Sequence, residues 1–208
     1  MKIIVISDTH GKHRKLNMPK GDMLIHAGDV SMEGKTEEVI DFLNWFGELQ
    51  YKYKIMIAGN HDYFFEKINK QELDTIIPQS VIYLNDSGVT IEGINIWGSP
   101  VTLWYENWAF NRHPGKDISK HWELIPKNTN LLITHSPVFG ILDKLEMGLQ
   151  IGCPNLLKKV NEVIPRLHIF GHVHEAYGVI ESKDTTFINA SSLNSKYELQ
   201  NKPIEFIW

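Results

Sequence analysis

The first ten residues, Met1-Lys2-Ile3-Ile4-Val5-Ile6-Ser7-Asp8-Thr9-His10, decide the fold of this chain. Residues 3–7 form a short, continuous, β-branched run, which is typical of a strand buried on both faces in a parallel sheet. The run ends directly in Asp8 and His10, whose side chains offer oxygen and nitrogen donors. The opening stretch therefore predicts a buried strand with metal-ligating side chains at its carboxyl end.

The same arrangement recurs twice in the next fifty residues. Residues 22–27 form a second buried run that ends in Gly28-Asp29, and residues 53–58 form a third that ends in Gly59-Asn60-His61-Asp62. Between them, residues 36–49 have apolar side chains at helical spacing, with Thr36 as the expected N-cap. The order strand, polar loop, helix, strand indicates parallel βαβ units.

The second half of the chain predicts a mixed sheet. Residues 81–84, 88–92 and 94–98 are short strand-like runs that suit hairpins, and residues 131–134 and 167–170 return to the buried type. A helix is expected at about residues 155–163, and residues 178–181, 185–189 and 204–208 are expected to be closing antiparallel strands. We predict one mixed α/β domain over residues 1–208.

Size, charge and cysteine content restrict the classes of protein. A chain of 208 residues with 42% hydrophobic and 22% charged residues is ordinary for one globular domain. The net charge of −4 argues against general nucleic-acid binding. Cys153 is the only cysteine, and we expect an inert thiol, because no helix start or basic partner is evident to lower its pKa. No apolar run approaches the length of a signal peptide core or a membrane span, so a cytoplasmic protein without a membrane partner is expected.

Five polar clusters predict a site for two metal ions. Each follows a buried strand, and the carboxyl ends of parallel strands converge on one crevice. The candidate ligands are Asp8, His10, Asp29, Asn60, His135, His172 and His174. This set has oxygen and nitrogen donors without sulfur, which suits Mn, Fe, Zn or Ni. Two divalent ions against two carboxylates leave the site net positive, so it should attract an anionic ester.

His61 and Asp62 have a different predicted role. With Asn60 on a metal ion, the adjacent His61 is free to transfer a proton or stabilise developing charge, and Asp62 could fix its tautomer or keep it cationic. Each cluster alone would be an ordinary turn, but their joint occurrence at strand ends favours a functional site. His26 and His168 lie inside strand runs and are expected to be structural.

The chain resembles the calcineurin-like metallophosphoesterase superfamily in its sequence motifs. The motifs are Asp8-Thr9-His10, Gly28-Asp29, Gly59-Asn60-His61-Asp62, His135 and Gly171-His172-Val173-His174. Trp97-Gly98-Ser99-Pro100, Trp108-Ala109-Phe110-Asn111 and Asn189-Ala190-Ser191 further resemble the branch of the metallophosphoesterase-domain (MPPED) proteins and their bacterial relatives. The resemblance implies a four-layer αββα sandwich of two mixed β-sheets.

The resemblance also implies a role for each ligand. It places one metal ion on Asp8, His10 and His174, a second on Asn60, His135 and His172, and Asp29 between the two. It makes His61 the catalytic imidazole, and it implies in-line attack on phosphorus by a hydroxide that bridges the two ions, with manganese as the favoured metal.

The sequence is less informative about the substrate. Residues 97–112 are expected to form a loop that borders the metals. In it Trp104, Tyr105, Trp108 or Phe110 either stack on a nucleobase or simply pack the loop onto the sheet, and Asn111 or Arg112 could bind phosphate. The resemblance to the branch of the metallophosphoesterase-domain proteins, together with this aromatic loop, favours a phosphodiesterase on small esters such as cyclic nucleotides. A phosphomonoesterase or protein phosphatase and, less favoured, a non-catalytic scaffold remain open, as does a homo-oligomer.

Overall fold

The computed structural model describes residues 1–208 as two large β-sheets with helices on their outer faces. The strands are β1 Lys2–Ile6, β2 Met23–Ala27, β3 Tyr53–Ile57, β4 Val81–Tyr83, β5 Ser87–Ile91, β6 Ile94–Ser99, β7 Thr102–Leu103, β8 Asn111–Arg112, β9 Leu131–Thr134, β10 Leu167–Phe170, β11 Gly178–Glu181, β12 Thr186–Asn189 and β13 Ile204–Ile207. The helices are α1 Thr36–Glu48, α2 Tyr63–Lys67, α3 Lys70–Ile76, α4 Lys116–Glu123 and α5 Pro154–Val163. None of them combines the length and the apolarity that crossing a membrane would require.

The two sheets are mixed, with parallel strands in their centres. The first has the order β13-β1-β2-β3-β4, in which β1 to β4 are parallel and β13 is antiparallel at one edge. The second has the order β11-β12-β10-β9-β6-β5, with antiparallel strands only at its two edges. The short strands β7 and β8 form a separate parallel pair.

Two strand predictions are wrong in direction. The run at residues 81–84 forms no hairpin, because α2 and α3 supply a crossover that brings β4 parallel to β3. The run at residues 185–189 pairs in parallel with β10 and is antiparallel only to β11. The predicted hairpin of residues 88–92 and 94–98 is present as β5 and β6.

The alternation of side chains along β1 explains the layers. Ile3 and Val5 point into an apolar cluster between the two sheets, whereas Ile4 and Ile6 point to the opposite face, where they pack with α1. On the outer face of the second sheet, α4 and α5 cover a third apolar cluster. The predicted four-layer αββα sandwich is therefore confirmed.

The first turn of α1 is capped differently from the prediction. The predicted N-cap, Thr36, is wrong, since Thr36 is already helical and Lys35 is the N-cap residue. The carboxylate of Glu38 accepts hydrogen bonds from the backbone N–H groups of Lys35 and Glu33, both at 3.1 Å. An acidic side chain three residues into the helix thus satisfies the amides of the preceding turn.

Cys153 lies at a helix start that the sequence did not reveal. It is the N-cap residue of α5, and its Sγ accepts a hydrogen bond from the Leu156 N–H at 3.4 Å. Burial nevertheless raises the pKa of the Cys153 thiol. The expected inert thiol is retained, and its cause is burial rather than the lack of a helix.

His168 on β10 is buried in an apolar layer and makes one hydrogen bond. Its Nε2 donates to Thr134 Oγ1 at 2.9 Å, since that hydroxyl donates in turn to the Ser136 carbonyl. Its Nδ1 has no partner, and the rings of Phe170 and Phe187 lie at 5.0 and 5.8 Å. Burial lowers the pKa of His168 to about 3. The ring is therefore neutral in the folded protein.

We predict that His168 makes the protein less stable in acid. The pKa of His168 is about 3 in the folded protein and 6.5 in the unfolded chain. The contribution of the neutral ring to the free energy of unfolding is therefore fully present above pH 6.5 and is lost as the pH falls below that value. From pH 7 to pH 5, metal-free wild-type protein should lose about 2 kcal/mol more unfolding free energy than the His168→Leu variant. Urea unfolding at each pH measures this difference. His113→Leu, at an exposed histidine, should keep the wild-type slope, and parallel slopes for wild type and His168→Leu would contradict the prediction.

Candidate metal centre

All seven predicted ligand side chains lie together at the carboxyl ends of parallel strands. They follow β1, β2 and β3 in the first sheet and β9 and β10 in the second, so the two stacked sheets contribute to one site. The residues are Asp8, His10, Asp29, Asn60, His135, His172 and His174. Their roles as ligands stay predictions, but their convergence agrees with the geometry that strand ends impose.

One group of ligand atoms comes from β1 and the turn after β10. Donor atoms of Asp8, His10 and His174 lie within 4.8 Å of one another. His174 Nε2 is 3.5 Å from Asp8 Oδ1 and 3.3 Å from His10 Nε2. These three side chains match the predicted ligands of the first ion.

The second group surrounds Asn60. Its Oδ1 lies 3.0 Å from His135 Nε2 and 2.8 Å from His172 Nδ1. Asp29 lies between the groups, because its Oδ2 is 3.2 Å from His135 Nε2 and 3.7 Å from His10 Nε2. This position suits a carboxylate that bridges two ions.

Backbone carbonyl groups fix the tautomers of three candidate ligands. The Nδ1–H groups of His10, His135 and His174 donate to the carbonyls of Ser31, Ala27 and Asn194, at 3.0, 2.9 and 3.1 Å. Their Nε2 lone pairs therefore face the site, as in histidines that bind metals. When both rings are neutral, the Nε2 lone pairs of His10 and His174 face each other at 3.3 Å without a shared proton. A cation between these atoms removes that repulsion, so the donor set fits a metal ion.

The backbone is strained at four of the candidate ligands. Asp8, His10, Asp29 and His172 have φ values of 50°, 42°, 57° and 71°. Left-handed backbone at residues other than glycine costs about 1 kcal/mol each and concentrates at functional sites. The strain aims these four side chains into the crevice as the chain leaves each strand.

Gly59 and Gly171 leave room for the two carboxylates. A Cβ at Gly59 would lie 2.3 Å from Asp29 Oδ1, and a Cβ at Gly171 would lie 2.1 Å from Asp8 Oδ2. Neither contact is possible, so any larger residue would displace the carboxylate.

The charges of the site suit cation binding. Burial raises the pKa of Asp8, but in the metal-free site the protonated forms of His174 and His135 outweigh burial, and the pKa of Asp8 lies well below its ordinary value. Burial also raises the pKa of Asp29, but the charge of protonated His135 outweighs burial, and the pKa of Asp29 lies well below its ordinary value. Burial lowers the pKa of His10 and of His172 to about 4. Burial also opposes the charge on His135 and His174, but Asp29 outweighs it and raises the pKa of His135 to about 9, and Asp8 raises the pKa of His174. A metal ion must therefore displace a proton from each of these two rings. Ionised carboxylates and neutral imidazoles are the forms that bind metals.

The structure contradicts the predicted contact between Asp62 and His61. The buried Asp62 carboxylate accepts from the backbone N–H groups of Val30, Ser31 and Gly59, at 3.1, 3.0 and 2.9 Å. It therefore joins the loops after β2 and β3. The tautomer of His61 is instead fixed by the Met32 carbonyl, which accepts from Nδ1–H at 2.8 Å. His61 Nε2 remains free.

A cavity of about 610 Å³ opens beside the metal ligands. Its walls include Trp104, Tyr105 and Trp108, as predicted for the loop that borders the metals, and Trp108 packs on the His61 ring at 4.1 Å between centroids. Phe110, by contrast, is buried in the cluster beneath α1, so its predicted stacking on a base is wrong.

Asn111 and Arg112 do not line this cavity. The Asn111 amide accepts from Thr102 Oγ1 and donates to the Tyr105 carbonyl, both at 2.7 Å. The Arg112 guanidinium donates to His121 Nε2 at 3.1 Å and pairs with Glu66 at 3.4 Å. The structure therefore gives both side chains a role in holding the loop, and their contact with phosphate stays a prediction.

Two residues of the site were not predicted. Ser191 Oγ donates to Asp8 Oδ2 at 2.8 Å, and the Tyr197 ring lies 5.1 Å from His10 and 4.9 Å from His174. The motif Asn189-Ala190-Ser191 was a signal for the first. Tyr197 lies in a polar segment without a motif and gave no signal.

Comparison with known sequences agrees with this geometry. The sequence model of the calcineurin-like phosphoesterase family matches residues 1–176, which include every candidate ligand. Human metallophosphoesterase domain-containing protein 1 is 40% identical over 98% of this chain and 69% of its own length. A UPF0046 protein of Caenorhabditis elegans is 39% identical over 99% of this chain and 74% of its own.

Solved structures of low sequence identity share the fold. One superposes with a TM-score of 0.63 at 16% identity, covering 90% of this chain and 89% of that one. GAP50, the anchor in the inner membrane complex of Plasmodium, superposes with a TM-score of 0.51 at 12% identity, over 98% of this chain and 76% of its own. From the match of the family model and the relatives at about 40% identity, we conclude that this chain belongs to the calcineurin-like phosphoesterases, a family of metal-dependent phosphoester hydrolases.

Proposed function

We propose that this protein is a two-metal phosphodiesterase that hydrolyses small phosphodiesters, with cyclic nucleotides as the first substrates to examine and manganese as the favoured metal. The observation that carries the proposal is the composition of the cavity beside the candidate ligands. Nine of its 16 lining residues are hydrophobic, and none is lysine or arginine. Binding there would depend on the metal ions for the phosphate and on apolar contact for the ester group.

The charge of the cavity favours a diester over a monoester. A phosphodiester carries one negative charge, whereas a phosphomonoester carries about two at neutral pH. The cavity offers no lysine or arginine for the second charge, and the Glu175 carboxylate on its wall repels that charge. The same carboxylate affects a singly charged diester less.

The chain's own residues would position the substrate and handle its protons. Bound ions at the two ligand groups supply Lewis acidity and lower the pKa of water. Hydrolysis breaks the phosphorus–oxygen bond to the leaving group and forms one from water, and a proton must reach the leaving oxygen. Doubly protonated His61 could give that proton from Nε2 and become neutral, because Nδ1–H stays bonded to the Met32 carbonyl. Trp108 packs against the ring and limits its movement.

The proposal predicts manganese-dependent turnover that prefers a diester. Chelator-treated protein should be assayed on bis-p-nitrophenyl phosphate and p-nitrophenyl phosphate, with and without Mn²⁺. We expect kcat/KM for the diester to be at least roughly 10-fold higher, which corresponds to about 1.4 kcal/mol. Equal kcat/KM values for the two esters, or a higher value for the monoester, would contradict the proposed phosphodiesterase activity and support a phosphatase. No turnover with Mn, Fe, Zn or Ni, together with no bound metal, would leave only a scaffold.

A further inference from the structure

The cavity beside the candidate ligands has apolar walls from two segments of the chain. We name the first the aromatic wall, formed by Trp104, Tyr105 and Trp108, and the second the hairpin wall, formed by Leu145, Met147, Leu149 and Ile151. The candidate metal ligands Asp29, Asn60, His172 and His174 line the same cavity. An ester group bound against these walls would therefore adjoin the phosphate position.

Both walls expose large apolar side chains to solvent. Met147 is 81% exposed, Tyr105 69%, Leu149 56% and Trp104 46%. These four account for a large share of the exposed large hydrophobic side chains of the whole protein, and they face one cavity. Apolar side chains concentrated in this way mark a binding surface, because covering them is favourable.

The hairpin wall is held firmly by hydrogen bonds at its base. Leu145 N–H donates to the Leu149 carbonyl at 2.9 Å, which closes a tight turn with Met147 at its tip. The buried Asp143 carboxylate accepts from the N–H groups of Gly140 and Gly152, at 2.9 and 3.0 Å. The exposed side chains are thus presented on an ordered support.

The aromatic wall is held in place by its own hydrogen bonds and ring contacts. The Tyr105 carbonyl accepts from the Asn111 amide at 2.7 Å, and the Asn107 carbonyl accepts from the Tyr63 hydroxyl at 2.9 Å. Trp104 stacks on His113 at 4.5 Å with 19° between the ring planes. This wall offers flat faces, and such faces bind flat rings well.

From these observations we propose that the two walls form a subsite for the organic group that stays on the phosphate, and that Met147 and Leu149 determine specificity for a flat aromatic group. The substrates selected would be aryl or nucleoside phosphodiesters rather than diesters of small alkyl groups. The inference deepens the proposed phosphodiesterase activity and rests on it for the kinetic test, but it makes a separate prediction about binding.

The kinetic test compares two esters that share one leaving group. Wild-type protein with Mn²⁺ should hydrolyse p-nitrophenyl phenyl phosphate with a higher kcat/KM than p-nitrophenyl methyl phosphate. The double variant Met147→Ser/Leu149→Ser should lose roughly 10-fold in kcat/KM on the phenyl ester and change less than about twofold on the methyl ester.

A matched control removes equally exposed apolar side chains elsewhere. Leu124 and Ile207 are 54% and 66% exposed and lie outside the cavity. The double variant Leu124→Ser/Ile207→Ser should keep the wild-type preference for the phenyl ester. Thermal unfolding of both double variants checks that the fold is retained.

Calorimetric binding of diphenyl phosphate and dimethyl phosphate separates the two proposals. One outcome is that no diester is hydrolysed but wild type binds diphenyl phosphate roughly 10-fold more tightly than the Met147→Ser/Leu149→Ser variant. This result would support the subsite and contradict the phosphodiesterase activity. If both p-nitrophenyl esters are hydrolysed with an unchanged preference and diphenyl phosphate binds both proteins equally, the subsite is overturned and the phosphodiesterase stands. The absence of turnover and of binding would overturn both.

Discussion

Replacing Asp29 by alanine is expected to abolish activity and to empty both metal positions. The Asp29 carboxylate lies within 4 Å of imidazole nitrogens of both groups, at 3.2 Å from His135 Nε2 and 3.7 Å from His10 Nε2. Its removal also takes away one of the two negative charges that the carboxylates of Asp8 and Asp29 provide. Since losing even an outer partner of a metal ligand costs 10- to 100-fold in affinity or activity, we expect a loss of more than roughly 10²-fold.

Metal content and turnover should be measured on the same Asp29→Ala preparation. Asp29→Asn keeps an oxygen that can accept the His61 backbone N–H, which Asp29 Oδ1 binds at 2.8 Å. That variant should fold normally and still bind Mn²⁺ weakly, because the charge is gone. Asp22→Ala, at an exposed carboxylate just before the first residue of β2, at the end of the strand away from the ligands, should keep the wild-type metal content and turnover. Two equivalents of Mn²⁺ in the Asp29→Ala protein would contradict the bridging role.

The positions of the ligands could be predicted because strand ends are visible in the sequence. Each buried apolar run stops at a polar cluster, as residues 3–7 stop at Asp8, and parallel strands direct those ends to one edge. The proximity of residues 130 or more positions apart, such as Asp8 and His174, can therefore be predicted from the strand pattern alone. The same patterns of buried strands and helices predicted one mixed α/β domain, whereas the four layers followed from the resemblance to the superfamily.

The supports of the ligands could not be predicted, because backbone groups provide most of them. The carbonyls of Ser31, Ala27 and Asn194 fix three histidine tautomers, and a carbonyl exists at every position of the chain. Adjacency in sequence also misled, since Asp62 follows His61 but turns toward other loops. Arginine near a site suggests a phosphate contact, yet Arg112 is occupied by His121 and Glu66. Such partners become visible only when the loops are folded.

Replacing His61 by alanine is expected to leave both metal ions bound and to lower kcat by roughly 10² to 10⁴-fold. The Met32 carbonyl holds Nδ1–H at 2.8 Å, so Nε2 is the nitrogen that faces the cavity, and it can donate a proton when the ring is doubly protonated. The fall should be larger for an ester with a poor leaving group, such as diphenyl phosphate, than for bis-p-nitrophenyl phosphate, because a good leaving group needs less protonation. Metal analysis and kcat on the two diesters measure these effects.

The competing role for His61 is that of a metal ligand, because its ring nitrogen lies within 4.8 Å of donor atoms of His10 and Asp29. A ligand role predicts that His61→Ala loses an ion and that the rate falls equally for both leaving groups. Trp108→Leu provides a milder change, since it removes the ring that packs on His61 at 4.1 Å without removing the imidazole. It should lower kcat less than His61→Ala does and keep both ions. Loss of metal from His61→Ala alone would therefore assign the imidazole to the metal centre rather than to proton transfer.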